Sequence, residues 1–301
     1  MQLHSIQFKA MGSLCELKLY LPDDRASQIG QGIIDFVKRM EAKYSRYQAD
    51  SITSRINAAA GKPEAVELDE ETARLIDYAA VLHQQSDGLF DITSGILRKA
   101  WNFKSSQVPS TEQLAPLLPL IGWHLVEWQA PFIRLPQAGM EIDFGGYVKE
   151  YIADAAANLC REQGVEHGLV NLGGDIHVIG PHPDGAAWQV GIQHPRLPQV
   201  AIATVPVTQG AITTSGDYER FMMVDGVRYS HLLNPFTGQS IQPFYASASV
   251  VAPQCIVAGS FTTIALLKSQ NEPDWLAEIG LPYLAIDQQM HMSGSIDREE
   301  A

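Results

Sequence analysis

The sequence predicts an α+β fold built on mixed or antiparallel sheets. Short strand patterns outnumber helical ones, and several neighbouring strand patterns lie close enough for hairpin connections. Together these favour α+β over a doubly wound parallel sheet. The 301 residues, 46% apolar and 18% charged, suffice to bury a sizeable core as one large domain or two interlocked lobes.

Taken in chain order, residues 15–21 alternate apolar and polar and read as a strand broken at Pro22-Asp23-Asp24. Ile29, Ile33, Val37 and Met40 recur at helical spacing and predict an amphipathic helix ending near Ala42. Asp69, followed by Glu70 and Glu71, reads as the N-cap of a helix with Leu75, Tyr78, Ala79 and Leu82 on its apolar face. Residues 104–120, with three prolines and several serines, form the most linker-like stretch. A strand ending at Asp143 and a Gly145-Gly146 turn lead into a helix through Ile152, Ala156 and Leu159, stopped by Gly164. GLVNL, IHVIG, WQVGI, AIATVPV, RFMMV and ASASVVA are strands, interrupted by a helix from about Ile256 to Lys268.

Charge narrows the functions open to the chain. A formal net charge of −13 makes a polyanion-binding surface a poor expectation, so neither nucleic acid nor an anionic membrane is an expected partner. No apolar window is long enough to span a bilayer, and the N-terminus has no basic region followed by an unbroken apolar core. As written the chain is expected to be cytoplasmic, or periplasmic if a leader has been removed. The three cysteines, Cys15, Cys160 and Cys255, are far apart and read as buried apolar residues rather than a disulfide or metal framework.

Four segments concentrate glycine, carboxylate and hydroxyl groups where binding residues tend to lie. Gly88–Gly95, GLFDITSG, also reads as a plain helix stop followed by a side-chain-capped turn. Asp143–Lys149, DFGGYVK, presents main-chain N–H groups and a positive helix end, which suit a phosphate, with Lys149 as a movable charge. An ordinary β–turn–α corner explains it equally well, and it is neither GxGxxG nor a P-loop. Asn171–Asp175, NLGGD, is a second close approach of bare backbone. The fourth runs from Thr213–Arg220, TTSGDYER, to Tyr229–Gly238, YSHLLNPFTG, where His231 precedes a turn and is placed to act as a general base.

In this order the segments closely resemble the ApbE family, the FAD:protein FMN transferases. Met11-Gly12, Ser45-Arg46-Tyr47, Ser54–Asn57 and Trp101 extend the resemblance over roughly residues 7–270. It implies a single domain over residues 1–301, with two interlocked lobes and an FAD cleft between them. It also implies Mg²⁺-dependent transfer of FMN from FAD to a Thr or Ser hydroxyl of an acceptor flavoprotein, with release of AMP. The acceptor motif resembles Asp-Gly-x-Thr/Ser-Gly-Ala-Thr and is absent from this chain, so the acceptor is another protein. Carried over residue by residue, Met11, Tyr47, Leu89, Phe90, Asp91, Asp143, Lys149 and Leu233 contact FAD. The Gly146 carbonyl and Thr263 are magnesium ligands, and His231 deprotonates the accepting hydroxyl.

The departures are specific. Gly259 stands where the family pattern has its metal-binding aspartate, Asn234 replaces the Asp of the DPxTG turn, and Glu150 follows the lysine where the family has glycine. A hard dication is bound largely through anionic oxygens. Asp217 and Glu150 are therefore the candidate replacements. The alternative function is a catalytically impaired FAD-binding relative, acting as a flavin carrier or regulator.

Overall fold

The computed structural model describes residues 1–300. The chain opens with β1 (Gln2–Ala10), β2 (Ser13–Leu21), α1 (Asp23–Tyr44), α2 (Ile52–Ala58), β3 (Val66–Glu67) and α3 (Glu70–Gln85). A 3-10 helix at Ile92–Lys99 precedes α4 (Thr111–Leu114), β4 (Glu127–Gln129), β5 (Phe132–Arg134) and α5 (Val148–Glu162). Then follow β6 (Gly168–Leu172), β7 (Asp175–Gly180), β8 (Trp188–Gln193), β9 (Ala201–Val207), β10 (Gly210–Gly216), β11 (Phe221–Val224) and β12 (Val227–Ser230). The chain closes with β13 (Tyr245–Ala252), α6 (Cys255–Lys268), α7 (Trp275–Glu278), β14 (Tyr283–Asp287), β15 (Met292–Gly294) and β16 (Glu299–Glu300).

Every strand pair among the described residues is antiparallel, as the hairpin spacing predicts. The principal sheet has eight strands in the order β1-β2-β6-β7-β10-β13-β14-β15. Successive side chains of a strand face opposite ways, so each strand divides its residues between two cores. On β14, Ala285 faces the cluster containing α1, α5 and α6, whereas Leu284 and Ile286 face the small sheet β16-β9-β8. Trp188, Val190 and Ile192, at alternate positions of β8, fill that second core. The molecule is thus layered as small sheet, large sheet and helices.

Several boundaries differ from the sequence reading. An additional strand, β1, precedes the first one expected, and Met11-Gly12 is the two-residue turn joining it to β2, with φ +51° and +72°. Two left-handed residues match the right-handed twist of the flanking strands. Pro22-Asp23-Asp24 ends β2 but also starts α1, because Pro22 is its N-cap and the two aspartates complement the positive helix end. Residues 104–120 are not a linker: Leu114 is buried with Ile96, Leu97, Trp101 and Met222 in a third apolar cluster. The segment ending at Asp143 joins no sheet, although the Asp143 N–H donates to the Ile92 carbonyl at 2.9 Å, so it is not a strand. It is fixed by Asn57, which accepts from the Ile142 N–H and donates to the Ile142 carbonyl.

Helix α6 is apolar nearly all round and buried, so its end must be satisfied inside the protein. Asp154 of α5 does this: its Oδ1 accepts from the Cys255 N–H at 2.7 Å and its Oδ2 from the Ile256 N–H at 2.9 Å. His177 donates from Nδ1 to Asp154 Oδ1 at 2.6 Å, while its Nε2 accepts from Arg161 at 3.1 Å. Asp154, His177 and Cys255 lie close enough to hold a metal, yet the carboxylate is fully engaged as a cap. Asp154→Ala is expected to destabilise the protein by roughly 3 kcal/mol, because it removes a buried cap and strands His177 and two N–H groups. Urea unfolding at unchanged m value measures this.

Candidate functional site

The β6–β7 hairpin turns through Gly173 and Gly174, whose φ values of +64° and +100° favour glycine. A Cβ at Gly173 would lie 2.6 Å from Ser13 Cβ, so this turn packs against the start of β2 beside the Met11-Gly12 turn. A Cβ at Gly174 would meet nothing within 4 Å, so that backbone faces open space.

Lys149, in the first turn of α5, reaches this corner and pairs with Asp175 Oδ2 at 2.8 Å. Its Nζ is 3.9 Å from where a Gly173 Cβ would stand, which puts the cation between the two glycine corners. Burial opposes its charge, but Asp175 and Glu150 outweigh that and hold the ammonium above its ordinary pKa. Asp175 shifts upward because burial outweighs its pairing with Lys149. Glu150 is pushed up by burial and then by the charge of Asp175, with Lys149 only partly offsetting.

The two corners offer fewer free N–H groups than the sequence suggests. The Gly145 N–H donates to Asp143 Oδ1 at 3.0 Å, and those of Tyr147 and Val148 donate to the Phe144 carbonyl at 3.2 and 3.0 Å. The Gly174 N–H donates to Asn171 Oδ1 at 2.8 Å. The helical ladder starts with Tyr151 N–H to the Tyr147 carbonyl, which leaves the Gly146 carbonyl outside it.

The FAD-contact candidates are brought to adjoining segments, in different states. Asp143 is occupied: besides Gly145, its other oxygen pairs with Arg46. Asp143 holds the Arg46 guanidinium above its ordinary pKa against the opposing effect of burial. Arg46 also donates to the Tyr47 hydroxyl at 3.1 Å and stands over its ring, leaving Tyr47 80% exposed. Phe90 is buried beneath the first corner, its ring 3.1 Å from where a Gly146 Cβ would be, and Leu89 is half-buried beside it. Asp91 is also buried, with Oδ1 capping the Thr93 N–H and Oδ2 accepting from the Trp123 N–H. Its carboxylate organises its own segment, the capped-turn reading of this motif. Met11 is half-buried, and its N–H donates to Glu41.

The histidine-bearing segment closes on the first motif. Asn234 Oδ1 accepts from the Phe236 and Thr237 N–H groups, so the neutral residue still makes the turn expected of an aspartate. Trp101 donates to the Gly238 carbonyl at 2.7 Å, and Phe236 lies over Gly88, which joins GLFDITSG to NPFTG. Leu233 is half-buried against the third cluster. His231 follows β12, and its Nδ1 lies 3.3 Å from the Arg220 carbonyl. Nδ1 is therefore the protonated nitrogen and Nε2 keeps a free lone pair. Burial lowers its pKa more than that hydrogen bond raises it, so the ring is neutral at pH 7.

The magnesium candidates lie just before the N-cap of α5 and on α6. Thr263 is half-buried with Oγ1 3.3 Å from Ser215 Oγ, which also meets Thr262 Oγ1 at 2.8 Å. The Gly146 carbonyl, the Thr263 hydroxyl and the carboxylates near Lys149 make an all-oxygen donor set, which suits a hard dication. The sequence reading gave no role to Arg46, Asp175 or Ser215. Asp175, a carboxylate ending the NLGGD motif, carried the legible signal. Gly174→Ala is expected to cost about 1 kcal/mol for its left-handed backbone, and Gly173→Ala about twice that because its methyl also meets Ser13. Parallel urea titrations compare them.

Residues 11–285 match the model of the ApbE family. The FAD:protein FMN transferase of Klebsiella pneumoniae (strain 342) is 30% identical over 268 residues, covering 87% of this chain and 82% of that one. The one from Treponema pallidum (strain Nichols) is 29% identical over 288 residues, covering 86% and 79%. The crystal structure of the ApbE protein from Thermotoga maritima superposes with a TM-score of 0.89 at 28% identity, covering 98% of this chain and 97% of the other. The flavin transferase ApbE from Vibrio cholerae has the same fold, with a TM-score of 0.86 at 24% identity and the same coverage.

Proposed function

This chain belongs to the ApbE family, and we propose that it is an FAD:protein FMN transferase that cleaves the FAD diphosphate and passes the FMN half to a Thr or Ser hydroxyl of an acceptor flavoprotein. The observation that carries this reading is the placement of Lys149 between the two glycine corners, charged and facing open backbone.

Phosphoryl transfer from a diphosphate depends on charge neutralisation and in-line positioning more than on covalent chemistry. Lys149 and the positive end of α5 neutralise and orient the diphosphate. The Phe90 segment, with Leu89, forms the floor beneath the first corner, and Tyr47, Met11 and Leu233 lie on neighbouring segments available to the rings of FAD. Arg46 already occupies Asp143, so a flavin contact at Asp143 involves rearrangement of that pair. When bound, magnesium supplies further neutralisation of diphosphate charge, and the Gly146 carbonyl and Thr263 hydroxyl are the residues to hold it.

His231 supplies the base. The acceptor hydroxyl oxygen forms a bond to the FMN phosphorus, and its proton passes to His231 Nε2. The bond from that phosphorus to the bridging oxygen breaks, and AMP leaves with the oxygen and its electron pair. Because His231 is neutral at pH 7, it needs no prior deprotonation.

A second reading, an FAD-binding relative without transferase activity, is favoured by the missing carboxylate at Gly259. It expects FAD affinity indifferent to Mg²⁺ and no AMP. The test incubates the protein with FAD, Mg²⁺ and a protein carrying the family's acceptor motif, then weighs the acceptor by mass spectrometry. The FMN mass increment with stoichiometric AMP is expected. FAD binding without either product supports the second reading. The acid limb of the rate profile is expected to centre below 6.5, because burial lowers the His231 pKa from that value and activity falls as the ring is protonated. His231→Gln is expected to lower the rate about 100-fold or more and remove that limb while FAD affinity is retained.

A further inference from the structure

Helix α5 carries a buried carboxylate with one oxygen that no described residue uses. Glu150 is 8% exposed, and its Oε2 is buried with no hydrogen-bond partner among the described residues. A buried charge in that state is costly unless something neutralises it. The charged groups that act on it are Asp175 and Glu219, which repel it, and Lys149, which is already paired with Asp175.

Its position is equally specific. A Cβ built on Gly259 of α6 would lie 2.6 Å from Glu150 Cγ, 2.9 Å from Oε1 and 3.1 Å from Cδ. The Glu150 side chain therefore fills the space in which a side chain at 259 would begin. Gly259 and Thr263 are one helical turn apart on the same face of α6, and Gly146 lies one turn before Glu150. Asp217, the other candidate acid, is already committed. Arg196 takes both its oxygens at 2.7 and 2.9 Å, and Gln288 adds a third bond at 3.0 Å.

We propose that Glu150 is the anionic ligand of a divalent-cation site between α5 and α6, delivering from α5 the carboxylate that Gly259 cannot supply from α6. The large residue at 150 and the absent side chain at 259 then form one exchange: the acid has changed helices while its charge remains in the same space. The inference rests on the FAD reading for the identity of the bound phosphate, but the carboxylate and its cradle stand without it.

The experiment titrates the full chain with Mn²⁺, with and without FAD, and follows free Mn²⁺ by electron paramagnetic resonance and Tm by calorimetry. Wild-type protein is expected to take up one Mn²⁺ per chain and to gain Tm on doing so. Glu150→Gln keeps the shape but removes the charge, and is expected to weaken Mn²⁺ about tenfold or more in the titration without FAD. Gly259→Asp alone crowds Glu150 and lowers Tm. Adding Glu150→Gly to it is expected to restore both Tm and Mn²⁺ affinity, a non-additive pair. Wild-type Mn²⁺ affinity in Glu150→Gln, or no Mn²⁺ uptake by the wild type, overturns the proposal. If Glu150→Gln fails to fold, the exchanged pair decides, and failure of that folded pair to bind Mn²⁺ also overturns it. Absence of FAD binding in every variant instead defeats the transferase reading, because the Mn²⁺ titration without FAD is scored independently.

Discussion

The ion pair between half-buried Lys149 and buried Asp175 is the contact on which the candidate site depends. It ties the first turn of α5 to the β6–β7 turn and so fixes the distance between the glycine corners. An anionic protein has little general attraction for a diphosphate, and a cation held in a partly dehydrated place compensates locally. Asp175 keeps Lys149 charged and aimed, while the glycines keep side chains out of the space in front of it.

The same economy of space recurs across the helix layer. Gly259 admits Glu150, Ser260 receives the Tyr78 hydroxyl at 3.2 Å, and Asp154 from α5 caps the buried start of α6. Helices α5 and α6 therefore meet through polar groups placed by small residues, within an otherwise apolar layer. Apart from Glu150 Oε2, moving α6 would break the hydrogen bonds that Asp154 and Tyr78 make to it. The NPFTG turn that follows His231 is anchored through Trp101 and Phe236 to the GLFDITSG segment.

Periodicity made much of the fold legible. The alternation in β8 and the apolar stripes of α1 and α3 fall where they were expected, because burial on one face imposes those periods. Strand β1 was missed although His4, Ile6, Phe8 and Ala10 alternate towards the core, because that edge face is only half-buried up to Ala10 and includes a polar residue. Residues 104–120 looked like a linker because short turns and prolines dominate the composition, although Leu114 is buried in a core. Within the site, the glycine corners, Lys149 and His231 were legible as local motifs. The partners that decide their state were not: Arg46 lies 97 residues from Asp143, and Glu150 meets Gly259 only through helix packing. Sequence motifs marked where bare backbone lies, whereas the occupation of its N–H groups by Asp143, Phe144 and Asn171 emerged only from the fold.

A calorimetric titration with FAD bears most directly on the claim that this arrangement embraces a dinucleotide diphosphate. The comparison is between the wild type and Lys149→Met combined with Asp175→Asn, so that neither member of the ion pair is left without its partner. The account predicts one FAD per wild-type chain and an affinity about tenfold or more weaker in the double variant, because a charge-assisted contact is lost. No saturable binding by the wild type under any ionic condition, or equal affinity in the two proteins, would contradict it.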